Sequence, residues 1–344
     1  MVTTIGIDPH KATHTATAID DSEQVLGEVT VAADRTQVKE LVGWADQLGT
    51  NGRVWAVESA GGLGSLLAQQ LLAAGENVVD VPAVLAARVR VLGSGRSQKN
   101  DENDARSVAI AALRQPGLHR VPPETHIQVL RMLAKRHLEL TSLRTQAVCR
   151  LHAVLAALRP GGMQRRLSAH KATTVLRAMR PVTPIEKQRT TMARQHLVDI
   201  RRLDRDLAHN RGEITQAVAA SGTTLMEIRG VGPVVAAFII GYTGDSTRFG
   251  TADHYASYNG TAPVEASSGP RVRHRLNLRG NRKLNHAIHM AAVSQLRYPC
   301  QGRDYYHRKQ TEGKTKKEAM RALKRRISNV VYRHLVADQQ HTTR

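Results

Sequence analysis

A chain of 344 residues is long enough for about two domains, and its 41% apolar fraction can bury real cores, which excludes a disordered polymer. With 50 Lys and Arg against 29 Asp and Glu, the net charge of +21 favours a polyanionic partner, nucleic acid first. Two cysteines, Cys149 and Cys300, exclude a disulfide framework and a four-thiolate zinc site; with no signal-like start and no run of about 18 apolar residues, the expected location is cytoplasmic, with no membrane partner.

From the N-terminus, Thr3–Asp8, Thr13–Ala18 and Val25–Ala32 are short alternating or β-branched runs, a pattern of three strands in a meander. Helical spacing over Thr36–Leu48, a strand-like Arg53–Val57, an apolar helix Leu63–Ala74, a strand Asn77–Val81 and a helix Ala83–Leu92 follow. Strands first, then strands alternating with helices, predicts an α/β N-terminal RNase H-like domain. A further helix starts near Asp101 and runs through Arg106–Leu113.

Two long amphipathic helices are expected from about Glu124 to Leu158 and from Glu186 to Ala220, broken near Arg159-Pro-Gly-Gly162. They form either a coiled-coil stalk carrying dimer contacts or a solvated hairpin within the chain. Next, Leu225-Met-Glu-Ile-Arg-Gly-Val-Gly-Pro233 precedes the apolar helix Val234–Ile240, a sequence compatible with a helix-hairpin-helix-like element that brings backbone N–H groups to a phosphate, or with a simple helix break. The remainder reads as a mostly α-helical C-terminal domain. The expected division is 1–115, an RNase H-like domain; 116–222, a helical coiled-coil or linker region; and 223–344, a basic C-terminal domain.

Charge separates the same segments. Residues 1–115 carry 10 basic and 14 acidic side chains, 116–268 carry 21 and 11, and 269–344 carry 19 and 4. Polyanion binding therefore belongs to the C-terminal two thirds, and the acids of the first third need another account. Asp8 directly follows the apolar Ile5-Gly-Ile7, and Glu58 directly follows Val54-Trp-Ala-Val57, so both project from strand ends. Asp101 and Asp104, three apart at a helix start, share a face. Singly these are ordinary caps and turn residues; jointly, four oxygen donors suit a hard divalent cation such as Mg2+.

A second constellation is Ala262-Pro-Val-Glu-Ala-Ser-Ser-Gly269 with Arg271, Arg273, Arg275, Arg279, Arg282 and Lys283. A serine among guanidinium groups can attack a phosphodiester while the arginines neutralise the developing charge; the same residues also make a flexible turn beside a backbone grip. Lys316, Lys317, Lys324 and Arg325 lie on a final amphipathic helix and are expected to bind phosphate. Aromatic residues make up 3% of the chain, so backbone gripping outweighs base stacking.

Gly6-Ile-Asp8 with His10-Lys11, Ala56-Val-Glu58 and Lys99-Asn-Asp-Glu-Asn-Asp-Ala105 resemble the RuvC-like DEDD domain of bacterial insertion-sequence transposases described as bridge-RNA-guided recombinases. Ile228-Arg-Gly-Val-Gly-Pro233, Gly244-Asp-Ser-Thr-Arg-Phe249, Tyr258-Asn-Gly-Thr-Ala-Pro263, Ser267-Ser-Gly269 and Arg279-Gly-Asn-Arg-Lys-Leu284 resemble that family's C-terminal serine transposase domain, in the same order. The resemblance implies four metal-binding carboxylates at Asp8, Glu58, Asp101 and Asp104, and a nucleophile at Ser268 or Ser267 that joins covalently to DNA. It also implies Mg2+ as cofactor and a composite site between subunits of a homo-oligomer, dimer or tetramer. The implied partners are double-stranded DNA of the element junction and target, and a noncoding guide RNA. The setting it implies is bacterial and nucleoid-associated. The rival readings are a RuvC-like metal-dependent, structure-specific DNA nuclease and a non-catalytic nucleic-acid-binding protein. Asn259, before the Gly260 turn, departs from the apolar residue expected there.

Overall fold

A computed structural model describes residues 2–49, 52–94, 101–115, 117–163, 167–265, 274–275, 277 and 280–342. The chain forms two compact units, Met1–Glu124 and Thr125–Arg344. The helices expected for a separate middle region pack within the second of these.

The first unit holds a five-stranded sheet of β1 (Thr3–Pro9), β2 (Thr13–Ile19), β3 (Val25–Ala32), β4 (Arg53–Glu58) and β5 (Val78–Val81), in the order β3-β2-β1-β4-β5. Strands β1, β2 and β3 are antiparallel neighbours, and β4 and β5 run parallel to β1. A meander followed by two parallel strands is the arrangement the sequence order predicts. Helices α1 (Gln37–Gln47), α2 (Ser65–Ala73), α3 (Ala83–Ser94) and α4 (Asp101–Arg114) complete the unit.

Alternation along the strands sorts side chains between two faces. Ile5, Ile7, Trp55 and Val57 join Leu41, Ala45, Leu67 and Leu71 of α1 and α2 in one core. On the other face Ala56 and Val81 pack with Ala86, Val108 and Ala111 of α3 and α4. Trp55 is fully buried, and its indole Nε1 donates to Glu76 Oε2 at 2.7 Å, while Arg53 Nε donates to the same oxygen at 2.8 Å.

The second unit contains α5 (His126–Ala156), α6 (Ala169–Ala178), α7 (Pro184–Ala220), α8 (Pro233–Thr243), α9 (Ala252–Tyr258), the strand pair β6 (Val264–Glu265) and β7 (His274–Arg275), α10 (Arg282–Arg297), α11 (Gln301–Thr311) and α12 (Lys316–Thr342). Helices α5 and α7 begin at capping boxes, Thr125 with Gln128 and Thr183 with Glu186, each of which satisfies otherwise unpaired first-turn N–H groups. Their apolar stripes meet: Leu140, Leu151 and Leu155 share a core with Leu197, Leu203 and Leu207. Within the chain these stripes pack α5 against α7 as a hairpin. The C-terminal core gathers Ile239 of α8, Tyr255 of α9, Ile288 of α10 and Val331 of α12 against Leu130 and Ile214.

Candidate active site

Parallel pairing aligns Ile7 with Val57, so the next residues, Asp8 and Glu58, lie side by side at the strand ends. They point to the face that α4 covers. Helix α4 lies directly on β1 because Gly6 has no side chain: a Cβ there would stand 2.1 Å from Ala105 O and 2.4 Å from Ala109 N. This close approach brings Asp104, which is 6% exposed, to the same sheet edge.

Electrostatics register the convergence. Burial pushes the Glu58 carboxyl above its ordinary value, and the neighbouring charges of Asp8 and Asp104 push it the same way, against the smaller opposing pull of Arg90 and His10. Arg90 of α3 forms an ion pair with Asp104. His10 Nδ1 lies 3.8 Å from Asp8 Oδ2. Behind Glu58, Ser59 adopts φ 51°, a left-handed conformation that costs a non-glycine residue energy. Two bonds hold that turn: Ser59 N–H donates to Val81 O at 3.0 Å and Ala60 N–H donates to Asp80 Oδ1 at 2.8 Å.

Asp101 is the first residue of α4, on the same helix as Asp104, but its side chain lies outside the described residues. Among the described residues, no three His, Cys, Asp or Glu side chains are drawn together tightly enough to hold a metal ion. The carboxylates of Asp8, Glu58 and Asp104 are therefore electrostatic neighbours. As hard oxygen donors sharing an excess of negative charge they suit a divalent cation, and Arg90 supplies positive charge to Asp104. Sequence reasoning noted His10 beside Asp8 but missed Arg90, which sits in a run read only as an apolar helix.

Ser267, Ser268, Arg271, Arg273 and Arg279 lie outside the described residues, and of Arg275 only the backbone, in β7, is described. The flanks of this segment are held closely. Strands β6 and β7 pair Val264 with Arg275 and Glu265 with His274. Asn281 N–H donates to Tyr258 O at 2.6 Å, and Asn277 Nδ2 donates to Ser257 O at 3.1 Å. A Cβ on Gly280 would stand 2.4 Å from Gly260, so the two glycines let the flanks touch. Asn285 Nδ2 donates to both Asn259 O and Gly260 O at 3.0 Å, and its Oδ1 accepts from Lys324 Nζ at 2.5 Å. Asn259, the departure from an apolar residue, is wholly buried and donates to Ser328 Oγ at 2.8 Å. It is a linchpin of this polar network.

Two of the residues expected to contact phosphate, Lys324 and Arg325, also have partners within the protein. Lys324 is buried, and burial pushes its ammonium down to about 8; its proton is directed at Asn285 and away from solvent. Arg325 is paired with Asp253 and also donates to Ala252 O at 3.3 Å. Arg282 and Lys283, at the start of α10, and Lys316 and Lys317, at the start of α12, are exposed. At the Gly-Val-Gly-Pro turn, a 3-10 turn, Thr224–Glu227, comes first, and Gly230 has φ 87° with a Cβ position 2.6 Å from Ala291 O. Close packing on α10 accounts for that glycine without a phosphate.

Residues 5–160 match the family profile of the IS110 DEDD domain, described as a transposase, and residues 222–307 match the profile described as transposase of the IS116/IS110/IS902 family. The chain is 28% identical over 375 residues to a protein of insertion element IS116 from Streptomyces clavuligerus, covering 95% of this chain and 93% of the relative. It is 28% identical over 377 residues to a protein of insertion element IS900 from Mycobacterium paratuberculosis, covering 95% and 94%. Among solved structures, Thermus thermophilus RuvC in complex with a Holliday junction substrate aligns over 35% of this chain and 100% of that one, with 14% identity and a TM-score of 0.28. The sequence and these relatives together define a transposase, a DNA-processing enzyme. The chain belongs to the IS110/IS116 family.

Proposed function

We propose that this transposase mobilises its own insertion sequence by Mg2+-dependent, RNA-guided cleavage and exchange of DNA strands through a covalent serine–DNA intermediate. The observation that carries the reading is the coupling of Asp8, Glu58 and Asp104 at one sheet edge in a chain of this family. The division of labour is an acidic domain over 1–115, a helical region over 116–222 and a basic domain over 223–344 that carries the nucleophile.

In this scheme Ser268, or its neighbour Ser267, attacks a phosphodiester phosphorus through Oγ. Its hydroxyl proton passes, through solvent, to the leaving deoxyribose oxygen as the bond from phosphorus to that oxygen breaks, and a serine–phosphate ester and a free strand hydroxyl form. The ester conserves the bond's energy, so a strand hydroxyl can later attack it and restore a phosphodiester. Arg271, Arg273, Arg275 and Arg279 neutralise the charge that grows on the phosphate. Asp8, Glu58, Asp101 and Asp104 would hold Mg2+, which when bound polarises phosphate oxygens and activates an attacking oxygen. The residues flanking the serine segment are held by Asn259, Asn285 and Lys324.

A guide RNA that pairs with the element junction and target relieves the protein of reading bases, which suits an arginine-rich chain with few aromatic residues. A homo-oligomer, dimer or tetramer, would build each composite site from the acids of one copy and the serine of another. No helix among the described residues is long and apolar enough to cross a membrane. The test is strand cleavage of labelled element-junction duplex by protein produced with its flanking noncoding DNA. Asp8→Ala, Glu58→Ala and Asp104→Ala should bind the duplex and fail to cut it, as should wild type in chelator. Undiminished cutting by Asp8→Ala would overturn the reading.

A further inference from the structure

A groove of about 1120 Å3 opens in the second unit between the 224–227 turn, the end of α10, α11 and α12. Its walls carry four guanidinium groups, Arg229, Arg308, Arg326 and Arg333, against the carboxylates of Glu227 and Asp304. Arg229, Arg308 and Arg333 lie outside the C-terminal basic run expected from the sequence to bind phosphate; Arg326 belongs to that run.

The charges are gathered and incompletely neutralised. Three cations face the ring of Tyr305: Arg326 at 5.0 Å, Arg308 at 5.3 Å and Lys309 Nζ at 5.5 Å. Glu312 offsets part of this, 2.5 Å from Lys309 and 3.8 Å from Arg308. Among the described residues, no carboxylate comes within ion-pair distance of Arg229, Arg326 or Arg333. Each cation gains only about 0.5–1 kcal/mol from an aromatic ring at an exposed site, and like charges this close repel, so the cluster attracts an anion. A planar guanidinium matches the paired oxygens of a phosphate.

The occupant follows from the same walls. Tyr305 is already faced by cations, so it offers no open ring for the stacked bases of a single strand. What remains is backbone gripping. We propose that the groove clamps the phosphate backbone of duplex DNA, with Arg229, Arg326 and Arg333 each holding a phosphate. The assignment rests on the reading of this chain as a DNA-processing transposase and adds a contact surface to it.

The test uses the full chain and a short DNA duplex, titrated between 50 and 200 mM salt. Losing three phosphate contacts lowers the salt slope by about 2.7, so the Arg229→Gln/Arg326→Gln/Arg333→Gln variant should lose roughly 40-fold less affinity over that fourfold rise than wild type. Arg194→Gln, which removes the same type of charge from α7, should leave the slope unchanged. Cys300 lies on the groove wall and Cys149 is exposed on α5, so alkylation by iodoacetamide provides a footprint with an internal control. Bound duplex should slow labelling of Cys300 and not of Cys149, and high salt should restore it.

An unchanged slope in the triple variant, or unprotected Cys300 at saturating duplex, overturns the proposal. Protection by single-stranded DNA and not by duplex overturns it as well. A triple variant with the wild-type slope beside a wild type that cleaves DNA refutes the groove alone; a wild type that neither binds nor cleaves duplex refutes the proposed function, and the groove with it.

Discussion

Gly6→Ala is the most exacting perturbation of the acidic site, because it adds one methyl group where helix and strand already touch. The new Cβ would stand 2.1 Å from Ala105 O and 2.4 Å from Ala109 N, both backbone atoms that no rotamer change can move aside. Ordinary contact requires about 3.4 Å, so α4 must retreat by about 1 Å. Overpacking of this kind costs about 1–3 kcal/mol, which for a unit of this size lowers the midpoint of thermal unfolding by about 3–15 °C. The catalytic consequence is larger. Asp101 and Asp104 ride on α4, and a misplacement of about 1 Å costs on the order of 100-fold in rate. Thermal unfolding followed by circular dichroism, together with single-turnover cleavage of element-junction duplex below the unfolding range, measures both effects. Wild-type stability and wild-type cleavage in Gly6→Ala would refute the account of how α4 reaches β1.

Glu58→Gln removes a half-buried charge that Asp8 and Asp104 oppose, so the metal-free variant should unfold at higher temperature than wild type and yet lose cleavage; lower stability would contradict the repulsion. Asn285→Asp replaces the amide that donates to Asn259 O and Gly260 O, at a cost of about 1–3 kcal/mol, and amide exchange at Gly260, Thr261 and Asn281 should accelerate. Unaltered exchange there would mean that the flanks of the serine segment are held by other contacts. Hydrogen bonding from Arg53 holds the Glu76 carboxyl below the ordinary glutamate value of 4.5. A depressed carboxyl stabilises the fold above the unfolded value and loses that stabilisation as pH falls through the folded one. Wild type should therefore shed stability below about pH 4.5 by an increment that Glu76→Gln lacks, visible in the fluorescence of the buried Trp55; parallel acid limbs would refute the pairing.

The N-terminal sheet was legible because alternation writes strand faces directly into sequence: Ile5, Ile7, Trp55 and Val57 repeat every second position, and the acids fall immediately after. Asp8 and Glu58 were therefore found as strand-end residues, and parallel pairing then sets them side by side. Their partner Arg90 was not legible, since which helix face meets Asp104 depends on packing between α3 and α4. Helix α11 escaped for a related reason: it buries none of its residues, so it carries no apolar stripe. Asn259 read as an anomaly because burial of a polar side chain makes sense only once Ser328 and Asn285, far along the chain, are known to meet it. Lys324 shows the converse, a basic residue in a basic run whose helical phase turns it inward.

The central claim is that a serine of this chain becomes covalently joined to DNA. Wild type, Ser267→Ala, Ser268→Ala and Asp8→Ala, each produced with the native flanking noncoding DNA, would be incubated with labelled element-junction DNA and Mg2+ and resolved on a denaturing gel. The account predicts a protease-sensitive protein–DNA adduct that disappears with one serine and with Asp8→Ala. Cleaved DNA without adduct, insensitive to both serines and lost with Asp8→Ala, would contradict it and leave a metal-dependent nuclease.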